Sequence, residues 1–253
     1  MDRIRSRDGT LIACQRSGSG PPLVLVHGIL GFSRRWPILP LLEAHFTVYA
    51  IDRRGRGGSG DADTYTIERD FEDIAAVVDS IGEAVNLFGH SFGGHCVLEA
   101  PLLTGSVRRV VAYEPGPASL PSQDIDRLQR LLDAGDREGM VTTFLSEFAH
   151  MPDHEVAFLK ASPVFPLMLT AAHTVPRELR AESAYRLNPE RYQHLTVPTL
   201  LLVGQDSPDF TRAAVESWRA VLPDSRVVGL PNQQHIAHYT APDLLVREML
   251  AFL

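Results

Sequence analysis

One short stretch, Gly89-His90-Ser91-Phe92-Gly93, decides the fold of this chain because of what lies on either side of it. The apolar run 85–88 before it is typical of a short buried strand, and the residues from 96 onward are typical of a helix. Glycines on both sides of a serine in a strand–turn–helix bend let the helix pack closely on the strand. The bend holds the serine itself in strained backbone geometry. The pattern therefore predicts an exposed, reactive hydroxyl at Ser91.

The composition fits one large α/β domain, or one domain that carries an insertion. Of the 253 residues, 44% are hydrophobic and 22% are charged, and the formal net charge is -7. Because the chain has no basic run, we expect no nucleic-acid partner. No apolar stretch approaches the length of a bilayer-spanning segment, so we also expect no membrane partner.

The amino terminus and the two cysteines favour a cytoplasmic location. Residues 1–6 contain no hydrophobic signal core, which argues against export. Cys14 and Cys96 lie in a strand-like and a helix-like segment, so they form neither a disulfide framework nor a metal-binding pattern. We predict two buried, reduced thiols and no metal site.

Short, continuous apolar runs alternate with helical segments along most of the chain. Such runs are typical of strands in a parallel sheet that is covered on both faces. They lie at residues 23–26, 48–51, 85–88, 110–113, 200–203 and 227–228. Residues 67–81 carry apolar side chains at helical spacing, with Thr66 as the expected N-cap and Gly82 as the stop. The alternation predicts an α/β fold with a mostly parallel central sheet and helices on both faces.

One segment, from about residue 117 to residue 195, has no strand-like run. It contains only helical patterns rich in Leu, Phe and Met, of which residues 124–132, 140–148 and 154–159 are the clearest. An all-helical insertion in an α/β chain is typical of a lid over the strand ends, where open α/β sheets bind their ligands. We therefore predict a core domain of residues 1–116 and 196–253 and a helical cap of residues 117–195.

Large apolar side chains are candidates to line a substrate pocket beneath the cap, although each of them could instead pack the cap onto the core. The candidates within the cap are Phe148, Met151, Phe158, Phe165 and Met168. In the core, Trp36 either anchors the first helix or edges the same pocket.

A serine hydroxyl is a poor nucleophile near neutral pH and needs a base to accept its proton. Among the 10 histidines, His235 follows the final strand-like run on a loop, where it could reach the top of the sheet. We therefore predict that His235 is the base. His238 is the competitor and is expected to pack or to support the site. His27 is expected to be structural, and His90, beside the serine, is expected to point away from it.

Four motifs, found in the same order, resemble those of the α/β-hydrolase superfamily, and the resemblance covers nearly the whole chain. They are His27-Gly28 directly after a strand, the turn at residues 52–59, the bend at residues 89–94, and His235 before a closing amphipathic helix. The resemblance implies the α/β-hydrolase fold with a helical cap. It also implies that the backbone amides of Ile29 and Phe92 form an oxyanion hole, which binds the negative charge that develops on a substrate oxygen.

The acid that would orient the histidine is where the sequence departs from the superfamily pattern. The superfamily usually places this acid as Gly-x-x-Asp after the penultimate strand, but Gly204-Gln205-Asp206-Ser207 puts Ser207 at that spacing. Asp206 could still serve if its loop is one residue tighter, or it could cap the helix that follows. Glu114 ends an earlier strand, at a position that carries the acid in some haloalkane dehalogenases of the superfamily; its alternative is a structural hydrogen bond to the cap. Both acids stay open, with a lean to Glu114 because a carboxylate at the end of a buried strand needs a partner.

Three arginines follow another strand-like run, at Arg53, Arg54 and Arg56. Such a cluster could bind an anion. We expect instead a solvated turn with local salt bridges, which is the commoner state of clustered charges.

The residue types and the resemblance together predict a cofactor-independent serine hydrolase of the carboxylesterase kind. Its partner would be a small, hydrophobic acyl substrate, whose ester, thioester or related bond is cleaved through an acyl-enzyme. Dehalogenase and epoxide hydrolase chemistry is disfavoured, because those enzymes carry an aspartate where this chain has Ser91. Two alternatives stay open: a carbon–carbon bond hydrolase or metal-free perhydrolase or haloperoxidase-like enzyme, and a small-molecule receptor with little turnover. The sequence defines neither the substrate nor the oligomeric state.

Overall fold

One sheet of eight strands lies at the centre of the computed structural model, which describes residues 1–34, 36–116 and 120–253. The strands are β1 (Asp2–Arg5), β2 (Leu11–Gly18), β3 (Pro22–Val26), β4 (Thr47–Ile51), β5 (Val85–His90), β6 (Val107–Tyr113), β7 (Thr199–Gly204) and β8 (Ser225–Leu230). Their order across the sheet is β1-β2-β4-β3-β5-β6-β7-β8. Strand β2 pairs antiparallel with β1 and β4, and the other neighbours are parallel. The mostly parallel sheet predicted from the apolar runs is confirmed.

Helices connect these strands. They are α1 (Leu39–Glu43), α2 (Ile67–Ile81), α3 (Phe92–Glu99), α4 (Ser122–Asp133), α5 (Arg137–Thr143), α6 (Asp153–Ala161), α7 (Phe165–Ala171), α8 (Val175–Ala184), α9 (Asp209–Val221), α10 (Ala237–Thr240) and α11 (Pro242–Leu250). Short 3-10 turns lie at Ala100–Leu102, Ala172–Thr174 and Pro189–Arg191, and a π turn at Phe144–Phe148 continues α5. Helix α2 has the bounds that its apolar spacing predicts, and Gly82 ends it with a φ of 78°.

The central strands are covered on both faces by helices. Every residue of β3, β5 and β7 is buried. Along β3, Val24 and Val26 pack with α2 and α3 on one face, while Leu23 and Leu25 pack with α1 and α11 on the other. Alternate side chains of a strand point to opposite faces, so a continuous apolar run fills both layers. Each such side chain contributes about 1.5–3 kcal/mol through its burial.

Helices α4–α8, the insertion helices, all lie between β6 and β7 in the chain. Their apolar side chains form a cluster of their own, which Leu30, Phe32 and Ile236 of the surrounding core join. The predicted cap boundary at residue 117 lies outside the described residues, so the division into two domains stays a prediction.

The described helices give one finding about membranes. None of them is long and apolar enough alone to cross a bilayer, and only the bent pair Asp153–Ala161 and Phe165–Ala184, which turns by 95°, passes on length and composition.

The arginine-rich turn after β4 is buried, so the expectation of a solvated turn is wrong. The enclosed side chains are those of Arg53, Arg54 and Arg56. Arg53 donates two hydrogen bonds to Asp70 of α2, at 3.0 and 3.2 Å. Glu178 of the insertion helix α8 forms ion pairs with Arg53, at 3.0 Å, and with Arg56. Arg54 donates two hydrogen bonds to Asp73 of α2, at 2.8 and 2.7 Å, so each buried guanidinium has a carboxylate partner, as burial of a charge requires. Through Glu178, the turn attaches an insertion helix to the core.

Asp70→Asn should destabilise the protein by about 3–5 kcal/mol, because it removes the carboxylate that accepts two hydrogen bonds from the buried Arg53 and leaves Arg53 and Arg56 to share the single carboxylate of Glu178. Urea unfolding of both proteins measures the difference. Asp126→Asn is the matched control, since it breaks an exposed pair with Arg180 and should cost less than about 1 kcal/mol. Equal, small effects of the two substitutions would show that the buried pair of Arg53 and Asp70 does not stabilise the turn.

Candidate active site

The turn between β5 and α3 puts Ser91 at the carboxyl end of a central strand. Ser91 is half-buried and has φ 55° and ψ -124°, a left-handed conformation that is rare for residues with a side chain. Both flanking glycines are required by close contacts. A Cβ on Gly93 would lie 2.3 Å from the carbonyl oxygen of Val26, and a Cβ on Gly89 would lie 2.3 Å from that of Gly93. The geometry agrees with the strained bend expected from the sequence.

A buried carboxylate at the end of β6 contacts the loop that carries His235. Oε2 of Glu114 accepts a hydrogen bond from Nδ1 of His235 at 2.7 Å. Its other oxygen, Oε1, accepts from the amide of Gly204 at 2.8 Å and from the hydroxyl of Ser207. Glu114 is only 3% exposed, so these donors replace the water that a carboxylate needs. Because Nδ1 donates to a carboxylate, Nε2 of the imidazole is left to accept a proton.

Asp206, the alternative acid, lies elsewhere. Its side chain is exposed, and its backbone amide donates to the carbonyl of Gln233 at 3.0 Å. Helix α9 has Pro208 as its N-cap, so Asp206 does not cap it. Of the two candidate acids, the part of the chain that the structure describes brings only Glu114 into hydrogen-bond contact with His235.

Two further side chains hold the histidine loop. The hydroxyl of Tyr113 donates to the carbonyl of Gln234 and accepts from the amide of Ala237, the latter at 3.1 Å. Nε2 of His90 donates to the backbone carbonyl of His235 at 2.8 Å. The sequence predicts that His90 points away from the serine, and in the structure its ring contacts the histidine loop. The loop is therefore fixed at three backbone positions around the imidazole, those of residues 234, 235 and 237.

Burial lowers the pKa of the two neighbouring imidazoles. Burial, with the nearby His238 and His235, lowers the pKa of His90 well below its ordinary value. Burial and the nearby His235 lower the pKa of His238 to about 3. Both rings are therefore neutral near pH 7, while the side chain of His235 is 23% exposed and contacts a carboxylate.

The amides expected to form the oxyanion hole lie on either side of Ser91. Phe92 is the first residue of α3, so its N–H has no acceptor within the helix. Ile29 follows Gly28, where a Cβ would lie 2.9 Å from the Cβ of Ser91. Within residues 1–34, 36–116 and 120–253, neither amide donates a hydrogen bond. His27 fixes the segment, because its Nδ1 donates to the carbonyl of Gly28 at 2.8 Å.

Ser91 and His235 line one cavity of about 570 Å³ beneath the insertion helices. Among the described residues, no hydrogen bond joins the Ser91 hydroxyl to the His235 ring. Four of the predicted substrate-binding residues line this cavity: Trp36, Phe148, Met151 and Met168. Phe158 and Phe165 are not among the lining residues: Phe165 packs within the apolar cluster of the insertion helices, and Phe158 is 50% exposed. Trp36 also packs against Phe88 of β5, at 5.6 Å between ring centroids, and belongs to the same apolar cluster as Leu42 of α1.

Sequence reasoning missed three residues of this site. Tyr113 carried a signal, because its hydroxyl ends an apolar strand directly before Glu114 and needs a buried partner. Ser207 carried another, since a hydroxyl stands where the superfamily usually has its acid. Glu182 also lines the cavity. No signal in the sequence marks it, because it is one acidic residue among several on a helix.

Comparison with known proteins identifies the family. Residues 23–248 match the model of the "Alpha/beta hydrolase family". This chain therefore belongs to the α/β-hydrolase family, and the resemblance drawn from its four motifs is confirmed.

Its relatives include hydrolases of several kinds. A solved α/β hydrolase from Sphaerobacter thermophilus is 36% identical, with a TM-score of 0.86 and 99% of each chain covered. The 2-(acetamidomethylene)succinate hydrolase of Mesorhizobium japonicum is 26% identical over 94% of this chain and 90% of its own. An esterase from Rhodococcus sp. has the same fold, at 24% identity, a TM-score of 0.77, and coverage of 99% of this chain and 97% of its own. This chain is thus similar both to a protein named as a succinate hydrolase and to one named as an esterase.

Tyr113→Phe should destabilise the protein by about 1–3 kcal/mol, because it leaves the carbonyl of Gln234 and the amide of Ala237 without a buried partner. Thermal and urea unfolding measure the loss. The matched control is Tyr49→Phe, at a half-buried tyrosine, with an expected cost within about 0.5 kcal/mol. If both variants unfold at the wild-type urea concentration, the hydroxyl does not hold the loop.

Proposed function

We propose that this protein is a serine hydrolase that cleaves an ester, thioester or related acyl bond through an acyl-enzyme. One observation carries the proposal: the 2.7 Å hydrogen bond from His235 to the buried Glu114, with His235 and Ser91 lining the same cavity. A carboxylate that orients an imidazole beside a strained serine is the arrangement that activates a hydroxyl for attack on a carbonyl carbon.

In the proposed mechanism, His235 accepts a proton and then donates one, first in acylation and again in deacylation. Oγ of Ser91 attacks the carbonyl carbon while Nε2 of His235 takes the hydroxyl proton, and the amides of Ile29 and Phe92 stabilise the oxyanion. The protonated ring then gives its proton to the leaving alcohol or thiol, which departs. Water then loses a proton to the same nitrogen as its oxygen attacks the acyl carbon. The ring returns that proton to Oγ of Ser91 as the bond between Oγ and the acyl carbon breaks, which releases the acid and the free serine. Glu114 keeps Nδ1 protonated throughout and stabilises the charged ring.

The lining of the cavity supports a substrate without a carboxylate. Most of the described lining residues are apolar, and none of them is a lysine or an arginine. The name of the Mesorhizobium japonicum relative describes a succinate, a dicarboxylate that calls for cationic partners. We therefore propose an acyl substrate that carries no negative charge near the scissile bond.

A fluorophosphonate probe should label the wild-type protein within minutes, because an activated serine attacks phosphorus as it attacks a carbonyl carbon. Ser91→Ala should abolish the labelling, which gel fluorescence measures. Ser217 also lines the cavity, so Ser217→Ala is the matched control and should label like the wild type. Labelling of Ser91→Ala, or none of the wild type, would refute the proposal. Labelling without turnover of any ester would point to a receptor instead.

Glu114→Gln should lower kcat/KM for an accepted ester by about 10³- to 10⁴-fold, since the amide cannot hold the imidazole in the required tautomer. Asp206→Asn removes the same charge from an exposed side chain and should change kcat/KM by less than about threefold. Circular dichroism checks that both variants are folded. A large loss in Asp206→Asn alone would assign the acid to Asp206.

A further inference from the structure

A second carboxylate, that of Glu182 on α8, lines the cavity and has no role in the steps above. Glu182 is only 5% exposed, and its Oε1 has no hydrogen-bond partner among the described residues. Among the described residues, Nδ1 of His95, at 3.6 Å, is the one basic group within 4.0 Å of Oε1. That distance is beyond a hydrogen bond. A buried carboxylate oxygen without a donor is costly, so its presence requires an explanation.

The other carboxylate of the cavity, that of Glu114, has hydrogen-bond partners within the protein. Glu114 accepts hydrogen bonds from the amide of Gly204, from Ser207 and from His235. Its oxygens are therefore occupied by the protein itself. Since no lysine or arginine is among the described lining residues, Glu182 is the charged group in this lining whose hydrogen-bonding capacity is left for a bound molecule.

His95 does not fill that capacity. It is fully buried, and neither ring nitrogen has a hydrogen-bond partner among the described residues. Its ring lies edge-on to the rings of Tyr185, at 4.5 Å between centroids, and Trp218, at 5.4 Å. The aromatic rings hold the imidazole beside Glu182 without bringing it to hydrogen-bond distance.

We propose that Glu182 determines substrate specificity by binding a hydrogen-bond-donating group, an ammonium or a hydroxyl, on the acyl part of the substrate. This inference rests on the proposed acyl-hydrolase function. A buried carboxylate binds a cation more strongly than a neutral donor, so an ammonium is the preferred group. Since Glu182 and Ser91 line the same cavity, the donor group and the scissile carbonyl would occupy one pocket.

The test uses three rigid substrates of the same shape: the methyl esters of 4-ethyl-, 4-(hydroxymethyl)- and 4-(aminomethyl)benzoic acid. The wild type should prefer the aminomethyl over the ethyl ester, and Glu182→Gln should lower this preference, as a ratio of kcat/KM values, about 10- to 100-fold. The glutamine keeps an acceptor oxygen, so the hydroxymethyl preference should fall less. Glu182→Leu should abolish both preferences.

Glu138→Gln is the matched control. Glu138 lies on insertion helix α5 with its side chain 60% exposed, and its substitution should leave the ratios unchanged. A loss by the same factor for all three esters in both Glu182 variants would mean that Glu182 only supports the fold, and would overturn the proposal.

A binding measurement separates this inference from the proposed function. Calorimetry on Ser91→Ala, which does not depend on turnover, should detect benzylammonium more strongly than benzyl alcohol, and the difference should vanish when Glu182→Gln is added. If it does so while the fluorophosphonate probe does not label the wild type, the proposed function fails and the donor site stands. If the esters are hydrolysed but the preference and the binding ignore Glu182, the donor site fails alone.

Discussion

The hydrogen bond between Glu114 and His235 depends on backbone strain that the sheet maintains. Ser91 and Glu114 have positive φ values, 55° and 46°, and each directly follows the last residue of its strand. Such conformations cost about 1–3 kcal/mol each and persist only where the surroundings enforce them. The ladder of β5 and β6 does so, because its register pairs His90 with Tyr113, the residues immediately before these two. The strained serine and the strained carboxylate thus begin from neighbouring positions on parallel strands.

Because the acid follows β6, the carboxyl end of this strand has two functions. Tyr113 holds the backbone of the histidine loop, and Glu114, the next residue, contacts the imidazole. The loop after β7 then supplies donors, because the amide of Gly204 and the hydroxyl of Ser207 both hydrogen-bond to Glu114. A serine at the usual acid position is therefore consistent with a carboxylate arriving from the neighbouring strand, since two carboxylates there would repel each other.

The sequence predicts most of the sheet, because buried parallel strands are continuous apolar runs that stand out in any chain. It misses β1, whose residues Asp-Arg-Ile-Arg are mostly exposed at the edge of the sheet. It also predicts wrongly that the arginine-rich turn is exposed to solvent. Clustered charges usually are, and the buried partners Asp70 and Glu178 are distant from the turn in the sequence. The choice between Glu114 and Asp206 was open for the same reason. It depends on which loops meet in space, and residue types alone do not contain that information.

Helix α8 joins the anchoring of the insertion helices to the chemistry of the cavity. Glu178 forms buried ion pairs with Arg53 and Arg56, and Glu182 follows one turn later on the same face of the helix. The guanidinium of Arg53 in turn lies 4.0 Å from the centre of the Phe92 ring, beside the strained bend. If α8 rotated to expose Glu182 to water, it would break the pairs of Glu178, which costs several kcal/mol. The ion pairs of Glu178 therefore keep the carboxylate of Glu182 buried in the mostly apolar lining of the cavity. A substrate group that donates a hydrogen bond stabilises this carboxylate more there than it would in water.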